Sequence, residues 1–321
     1  MPRPTSSTTV TRPDLGAIAF EYMSEASQRG FIGLEILPVF EVPEQSGQYP
    51  KIPIEALINV PDTKRAPRGT YSRDDWEFEM GNYDCEEHGR EEPVDDSEAA
   101  LSRRYFDAEE IAVMRAVDML LRGHENRVSA MVFNTSNITN TAGVTTEWST
   151  AASCTPRADV ETGKESMRAA TGLFPNVMVI TYKVFRNLLM AAEITDALKY
   201  TNPIELGGME AQRRILAQYF GMDNVIVGNA IKNGAKKGQS VTITDIWDDE
   251  YCGLFKVSSG PDLREPVLGR TFLWTADSPS IVTTEQYREE QTRSEVYRVR
   301  HSTDEAFIFT GAGYLLSNIT A

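Results

Sequence analysis

"TGLFPNVMVITYKVFRNLL", residues 171–189, sets a short apolar run directly against a helix-forming stretch. Gly172 and Pro175 punctuate its start, and "FPNVMVIT" then reads as a strand buried on both faces, because its apolar residues are continuous rather than alternating. "YKVFRNLLMAAEITDALKYT" reads as a helix. Outward on both sides the alternation continues. "PRADVETGKESMRAATG" (156–172) is a helix closed by Gly172, "GGMEAQRRILAQYFG" holds a helix from Met209 to Gly221, and "MDNVIVGNAI" (222–231) is a second strand. Strands and helices alternating at this spacing indicate a compact α/β unit.

The flanks differ. After Gln239 the chain turns strand-rich: "SVTITDIW", "CGLFKV", "TFLWTA" and "SIVTTEQY", then a tail, "SEVYRVRHSTDEAFIFTGAGYLLSNIT", whose apolar and polar residues alternate as in a half-buried antiparallel sheet. On the N-terminal side, Asp107 with Glu110 three residues on has the form of a capping box. Ile111, Met114, Val117 and Leu121 follow as a stripe at helical spacing, Gly123 supplies a stop, and helical character reaches back to Asp96. Residues 129–155, rich in Thr, Ser and Asn, read as loops and short edge strands.

Residues 1–15 read as a poorly ordered arm, and the proline-punctuated stretch 31–58 as extended rather than helical. Two strand-like arms between Ile52 and Phe78 are joined by the turn-rich tip "VPDTKRAPRGTYSR". Such a ribbon has too little core of its own and calls for a neighbouring surface. Its tip is basic, with Lys64, Arg65, Arg68 and Arg73. The next stretch, 74–98, is its opposite: 12 of 25 residues are acidic and only Arg90 is basic. A solvated acidic face is the plain reading of that block.

Composition narrows the function. The chain has 321 residues, enough for about two domains, and a formal net charge of −15, which disfavours sequence-specific nucleic-acid binding. Its apolar runs are too short to span a bilayer, and no apolar segment of signal-peptide type follows the first arginines. Cys85, Cys154 and Cys252 lie far apart, which argues against a disulfide framework. "VIVGNAIKNGAKKGQSV" (225–241) fails as a phosphate loop. Gly228 and Gly234 are separated by five intervening residues rather than four, Ala235 takes the lysine place, and a strand follows where a helix must start. His88, His124 and His301 form no HExxH or i,i+4 pair, and no serine elbow or dinucleotide fingerprint is present. No cofactor, metal site or catalytic residue is assigned, and an enzyme is the minority reading.

Taken together, "GREEPVDDSEA" (89–99), "TGLFPNVMVITYKVFRNLL" (171–189) and "LAQYFGMDNVIVGNAIKNGAKKGQSV" (216–241), in this order along the chain, resemble the major capsid proteins of tailed bacteriophages, the Hong Kong 97-type capsid fold. The likeness covers roughly residues 30–320. It implies an α+β fold: an N-terminal arm (1–30), an arm-to-extended-loop region (31–92) with its hairpin at about 45–85, a peripheral domain (93–155 with 276–321) carrying a long spine helix, and an inserted α/β axial domain (156–275). It also implies a structural protein, not an enzyme, that assembles with itself as hexamers and pentamers of an icosahedral shell. That shell would enclose double-stranded DNA without sequence-specific binding, as part of a virion put together in the host cytoplasm. Scaffolding, portal and, in some members, decoration proteins would be its partners. The resemblance shows no extra N-terminal scaffold segment, so a separate scaffolding protein is expected. Lys–Asn cross-linking, known in some members, is carried onto no residue here. The basic tip and acidic block supply the expected contact between subunits: Lys64, Arg65, Arg68 and Arg73 of one copy against Asp74, Asp75, Glu86, Glu87, Glu91, Glu92, Asp95 and Asp96 of the next. An encapsulin-like shell with protein cargo, and a metal-dependent hydrolase using the acidic block, are the alternatives.

Overall fold

A computed structural model describes residues 10–11, 15–16, 18–19, 21, 30–51, 58, 60, 62–65, 67–71, 73, 79–102, 107–199, 208–236, 238–260, 263 and 265–320. Its strands are β1 (Val10–Thr11), β2 (Val39–Val42), β3 (Ser46–Lys51), β4 (Glu79–Asp84), β5 (Glu86–Asp95), β6 (Thr141–Gly143), β7 (Val177–Thr181), β8 (Asn224–Gly228), β9 (Ile231–Asn233), β10 (Ile243–Asp245), β11 (Cys252–Phe255), β12 (Gly269–Trp274), β13 (Thr283–Glu289), β14 (Ser294–Phe307) and β15 (Gly313–Ser317). Its principal helices are α1 (Gly33–Ile36), α2 (Asp96–Ser102), α3 (Ala108–Val132), α4 (Pro156–Thr171), α5 (Tyr182–Met190), α6 (Ala192–Leu198) and α7 (Met209–Phe220).

The apolar run at 177–181 is buried at all five positions. It lies inside a five-stranded mixed sheet of order β6-β15-β11-β7-β8, parallel to β8 and antiparallel to β11. Helices α4, α5 and α7 cover this sheet and share a core with it through Met178, Ile180, Phe185, Leu216, Phe220 and Leu254. Gly172 closes α4 in the left-handed conformation (φ 73°), its N–H donating to the Arg168 carbonyl, as a glycine past a helix end does. The stretch expected as one helix from Tyr182 is two. Ala191 is extended (ψ 128°) and buried, and the N–H of Ala192 leaves the helix to donate to the Ala151 carbonyl at 2.8 Å.

The second sheet is built around the 14-residue strand β14. β5 runs antiparallel along one edge from Ser294 to Thr303. The other edge takes β13 from Ser294 to Arg300, then β12 from Thr303 to Phe307. β2 adds parallel to β12, and β1 adds to β13, so that Val10 and Thr11 of the expected disordered arm are paired residues. Leu15 and Ala19 are buried in the core beyond them. The 31–58 stretch is mostly extended where described, but Gly33–Ile36 forms one helical turn, which the prolines do not interrupt because the first comes at Pro38.

The spine helix α3 packs on β5 and β14. Its cap is as expected, with the Asp107 carboxylate accepting the Glu109 N–H at 3.0 Å. Its end is not: the helix runs nine residues beyond Gly123 to Val132. An exposed glycine inside a helix costs ~1 kcal/mol against alanine, and the burial of Val128 and Val132 further on outweighs that. Its buried face also differs from the expected stripe. Val113, Val117, Leu120, Leu121 and Val128 enter the core, whereas Ile111 and Met114 line an open surface groove with Met119.

Sheet membership crosses the expected domain limits. β12, expected with the axial segment, lies in the β14 sheet, and β15, expected with the peripheral segment, lies in the five-stranded sheet beside β11. Among the described residues no helix is long and apolar enough to cross a membrane.

Candidate interaction surface

Most of the 52–78 arm lies outside the described residues, but its base is well defined. β3 and β4 pair in register from Ser46↔Asp84 to Lys51↔Glu79. Aromatic packing fixes this ribbon to the β14 sheet: Tyr83 stacks on Phe272 (centroids 4.8 Å, planes 12° apart), Tyr49 lies 5.1 Å from the same ring, and Phe40 meets it edge-on. The Tyr49 hydroxyl donates to the Phe307 carbonyl at 2.8 Å. Burial drives the Cys85 thiol up to about 11 and the Tyr49 phenol up to about 12, so neither ionises near neutral pH.

At the tip, Lys64, Arg65, Arg68 and Arg73 are exposed. Arg65 is organised within the turn. Its Nε donates to the Gly69 carbonyl at 2.8 Å and its guanidinium stands 4.9 Å over the Tyr71 ring, while Arg68 takes a positive φ of 68°. None of the four forms an ion pair with another described residue. Asp74 and Asp75 lie outside the described residues.

The acidic block is not a uniform solvated face, because its described part forms β4, β5 and the start of α2. Arginines of the adjoining strands neutralise its C-terminal half. Arg298 meets Glu91 at 2.7 Å, and Arg288 holds Asp96 through two bonds of 2.7 Å, keeping that carboxyl below its ordinary range. Glu92 lies 3.4 Å from Arg90 and 3.9 Å from Arg115, and Asp95 accepts the Ser97 N–H at 2.8 Å. Glu86 and Glu87 are exposed and have no cation within ion-pair distance among the described residues. The ten expected contact residues that are described thus divide into a basic tip of four, an acidic pair without a cation and a quartet with partners within the chain.

Two buried polar groups escaped the sequence reading. Glu125, 1% exposed, accepts the N–H of Ile32 (2.9 Å), the N–H of Gly33 (2.7 Å) and the indole N–H of Trp247 (2.5 Å). Burial pushes its carboxyl up to about 7 against those three donors. The chain's three histidines also converge. His301 lies 5.8 Å from His88 and 6.2 Å from His124, ring centre to ring centre, beside Glu305 and its bidentate partner Arg127 (2.9 and 3.0 Å). Burial, reinforced by the Arg127 charge, holds His124 down to about 4 and His301 to about 3. Burial alone would raise Glu305, but hydrogen bonds from Arg127 and the neighbouring charge reverse the sign. A single His-to-Glu spacing along α3 and β14 could not signal these meetings, since they depend on strand register. Among the described residues no group of three or more His, Cys, Asp or Glu side chains is arranged to hold a metal ion.

The chain mixes helices and strands, and the solved structures it resembles are phage capsid proteins of the Hong Kong 97-type fold. No family model matches the chain. A phage-related protein from Bordetella bronchiseptica RB50 superposes with a TM-score of 0.71 at 22% identity, covering 97% of each chain, and the cyanophage P-SCSP1u capsid with 0.57 at 8%, covering 88% of this chain and 86% of that one. In sequence, the chain is 29% identical over 298 residues to the major capsid protein of Burkholderia phage BcepMu, covering 90% of this chain and 91% of the relative. It is 23% identical over 266 residues to the major capsid protein of Pseudomonas phage JBD67, covering 82% of each. The chain is a relative of phage major capsid proteins.

Proposed function

We propose that this chain is a major capsid protein, a structural protein without catalytic role that assembles with copies of itself into an icosahedral shell around phage double-stranded DNA. The observation that carries the reading is end-to-end similarity: nine-tenths of the chain aligns with a relative named as a major capsid protein, and the fold matches throughout. Residues 1–30 then serve as the arm, about 45–85 as the extended loop, 93–155 with 276–321 as the peripheral domain and 156–275 as the axial domain, with β12 and β15 exchanged between the two as structural ties. Hexamers and pentamers of the chain form the shell, with scaffolding, portal and decoration proteins as partners and the virion as its location.

Contact between subunits places Lys64, Arg65, Arg68 and Arg73 of one copy on the acidic lead-in of the next. Glu86 and Glu87 are its main acceptors, because Glu91, Glu92, Asp95 and Asp96 already have partners within the chain. Each exposed pair contributes only ~0–1 kcal/mol, yet repetition over every subunit fixes register. The net charge of −15 suits a container whose wall does not grip its DNA. Negative-stain microscopy of the expressed protein tests the assignment: uniform closed shells are expected, and a small monodisperse oligomer refutes it. Protein cargo in place of DNA inside particles would favour the encapsulin-like alternative. Lys64→Glu with Arg65→Glu should lower shell yield, most at low salt, and unchanged yield at every salt concentration refutes the tip contact.

A further inference from the structure

The ribbon β9–β10 has no function in the reading so far. Its two three-residue strands pair only with each other, from Ile231↔Asp245 to Asn233↔Ile243, and a lone two-stranded ribbon is marginal in water. It is tied to the spine helix on one side only. The Ile231 carbonyl accepts from Arg122, and the Lys232 ammonium donates to Asn126 at 2.8 Å. The register puts Ile231 and Ile243 on the other face beside their partners Asp245 and Asn233; the two isoleucines are 41% and 68% exposed, and Val241 beside the turn is 71% exposed. The turn carries Lys236, which forms no ion pair among the described residues. The hairpin is therefore a projection with a lysine at its tip and exposed aliphatic side chains on a mixed face.

The matching surface lies at the base of the arm. A groove of about 410 Å³ opens between β4, β5 and β14, lined by Asp84, Glu86, His88, Arg127, Asp304 and Glu305 among others. Its one arginine is committed to Glu305, leaving Asp84, Glu86 and Asp304 without a cation among the described residues. Burial and the charges of Glu305, Asp84 and Glu86 hold the Asp304 carboxyl above its ordinary value. Met80, on the same strand face as Asp84, is 54% exposed at the rim and offers apolar surface.

We infer that the β9–β10 hairpin of one copy docks in this acidic groove of a second copy, Lys236 entering between Asp84 and Asp304 while Ile243 and Val241 cover Met80. The inference rests on the shell reading. Donor and acceptor flank one helix: the hairpin is held at Asn126, the groove at Arg127, and consecutive residues point ~100° apart around an α-helix. Two different surfaces on separate flanks make a head-to-tail contact, which closes into rings when repeated.

Zero-length carbodiimide coupling of particles assembled from an equal mixture of unlabelled and isotope-labelled chains tests it. The peptide containing Lys236 should join the one containing Asp84 or Asp304, with mixed-label pairs as abundant as same-label pairs. Lys236→Glu should lower particle yield several-fold, and adding Asp84→Lys should restore it. Particles whose Lys236 couples to neither carboxylate, or only in same-label pairs, overturn the docking and leave the shell reading intact. A wild-type chain that forms no particles overturns both.

Discussion

Replacing Glu125 by Gln removes one titration and one acceptor oxygen, and the pH dependence of its effect has a definite sign. Three buried N–H groups, of Ile32, Gly33 and Trp247, converge on the two carboxylate oxygens, and among the described residues no cation joins them. The folded value of about 7 stands above the ordinary 4.5, burial being the largest cause. A group whose folded pKa is raised contributes its full stability below the unfolded value and loses it as pH rises through the folded one. Some 2.5 units at ~1.4 kcal/mol each amount to ~3 kcal/mol, fully lost above about pH 7. Glutamine has the shape of glutamic acid but a single acceptor oxygen, so its Nε2 faces one of these N–H donors and strands it at ~1–3 kcal/mol. Glu125→Gln should therefore be less stable than the wild type by that amount near pH 5, and the difference should move in its favour by ~3 kcal/mol between pH 5 and pH 8. Urea unfolding followed by tryptophan fluorescence, at one protein concentration across the pH range, reads the difference directly. Subtracting the two profiles cancels every other titrating group. A difference between the two profiles that does not change between pH 5 and pH 8 would refute the reasoning, because the three N–H bonds to a full carboxylate would then outweigh its desolvation. Glu125→Ala, which strands all three donors at ~1–3 kcal/mol each, should be strongly destabilised at every pH.

Three further outcomes are expected. Gly123→Ala should raise stability by ~1 kcal/mol in the same unfolding assay, since the added methyl meets nothing nearer than Arg127 Nη1 at 3.9 Å. Phe272→Ala should cost ~3–5 kcal/mol and lower shell yield by loosening the arm's base against Tyr49 and Tyr83, while Phe272→Leu should cost far less. His124 and His301 are bases held below their ordinary 6.5, so their contribution is present above that value and lost as pH falls toward 4 and 3. Replacing His124 with Gln should flatten the acid limb of the stability profile by up to ~3 kcal/mol. An unchanged acid limb would show that His124 is already charged in the fold.

What the sequence by itself determined is local or periodic. The continuous apolar run at 177–181, the Asp107 cap, the Gly172 closure and the failed phosphate loop at 225–241 each depend on neighbours in the chain. Those readings reach far enough to suggest the capsid fold, because the order of elements along the chain is itself the pattern. Gly123 shows the limit: a local stop signal gives way when the next turns bury Val128 and Val132. The same limit explains the divided acidic block. Which glutamates are free depends on β5 and β14 aligning Glu91 with Arg298 and leaving Glu86 opposite Thr303. A one-residue slip would exchange every such partner. Tertiary structure alone decided the Glu125 cradle, the meeting of three histidines and the exchange of β12 and β15 between sheets. Each joins residues far apart in the chain, and the energies that fix them, burial and unpaired N–H donors, exist only once the chain has closed around them.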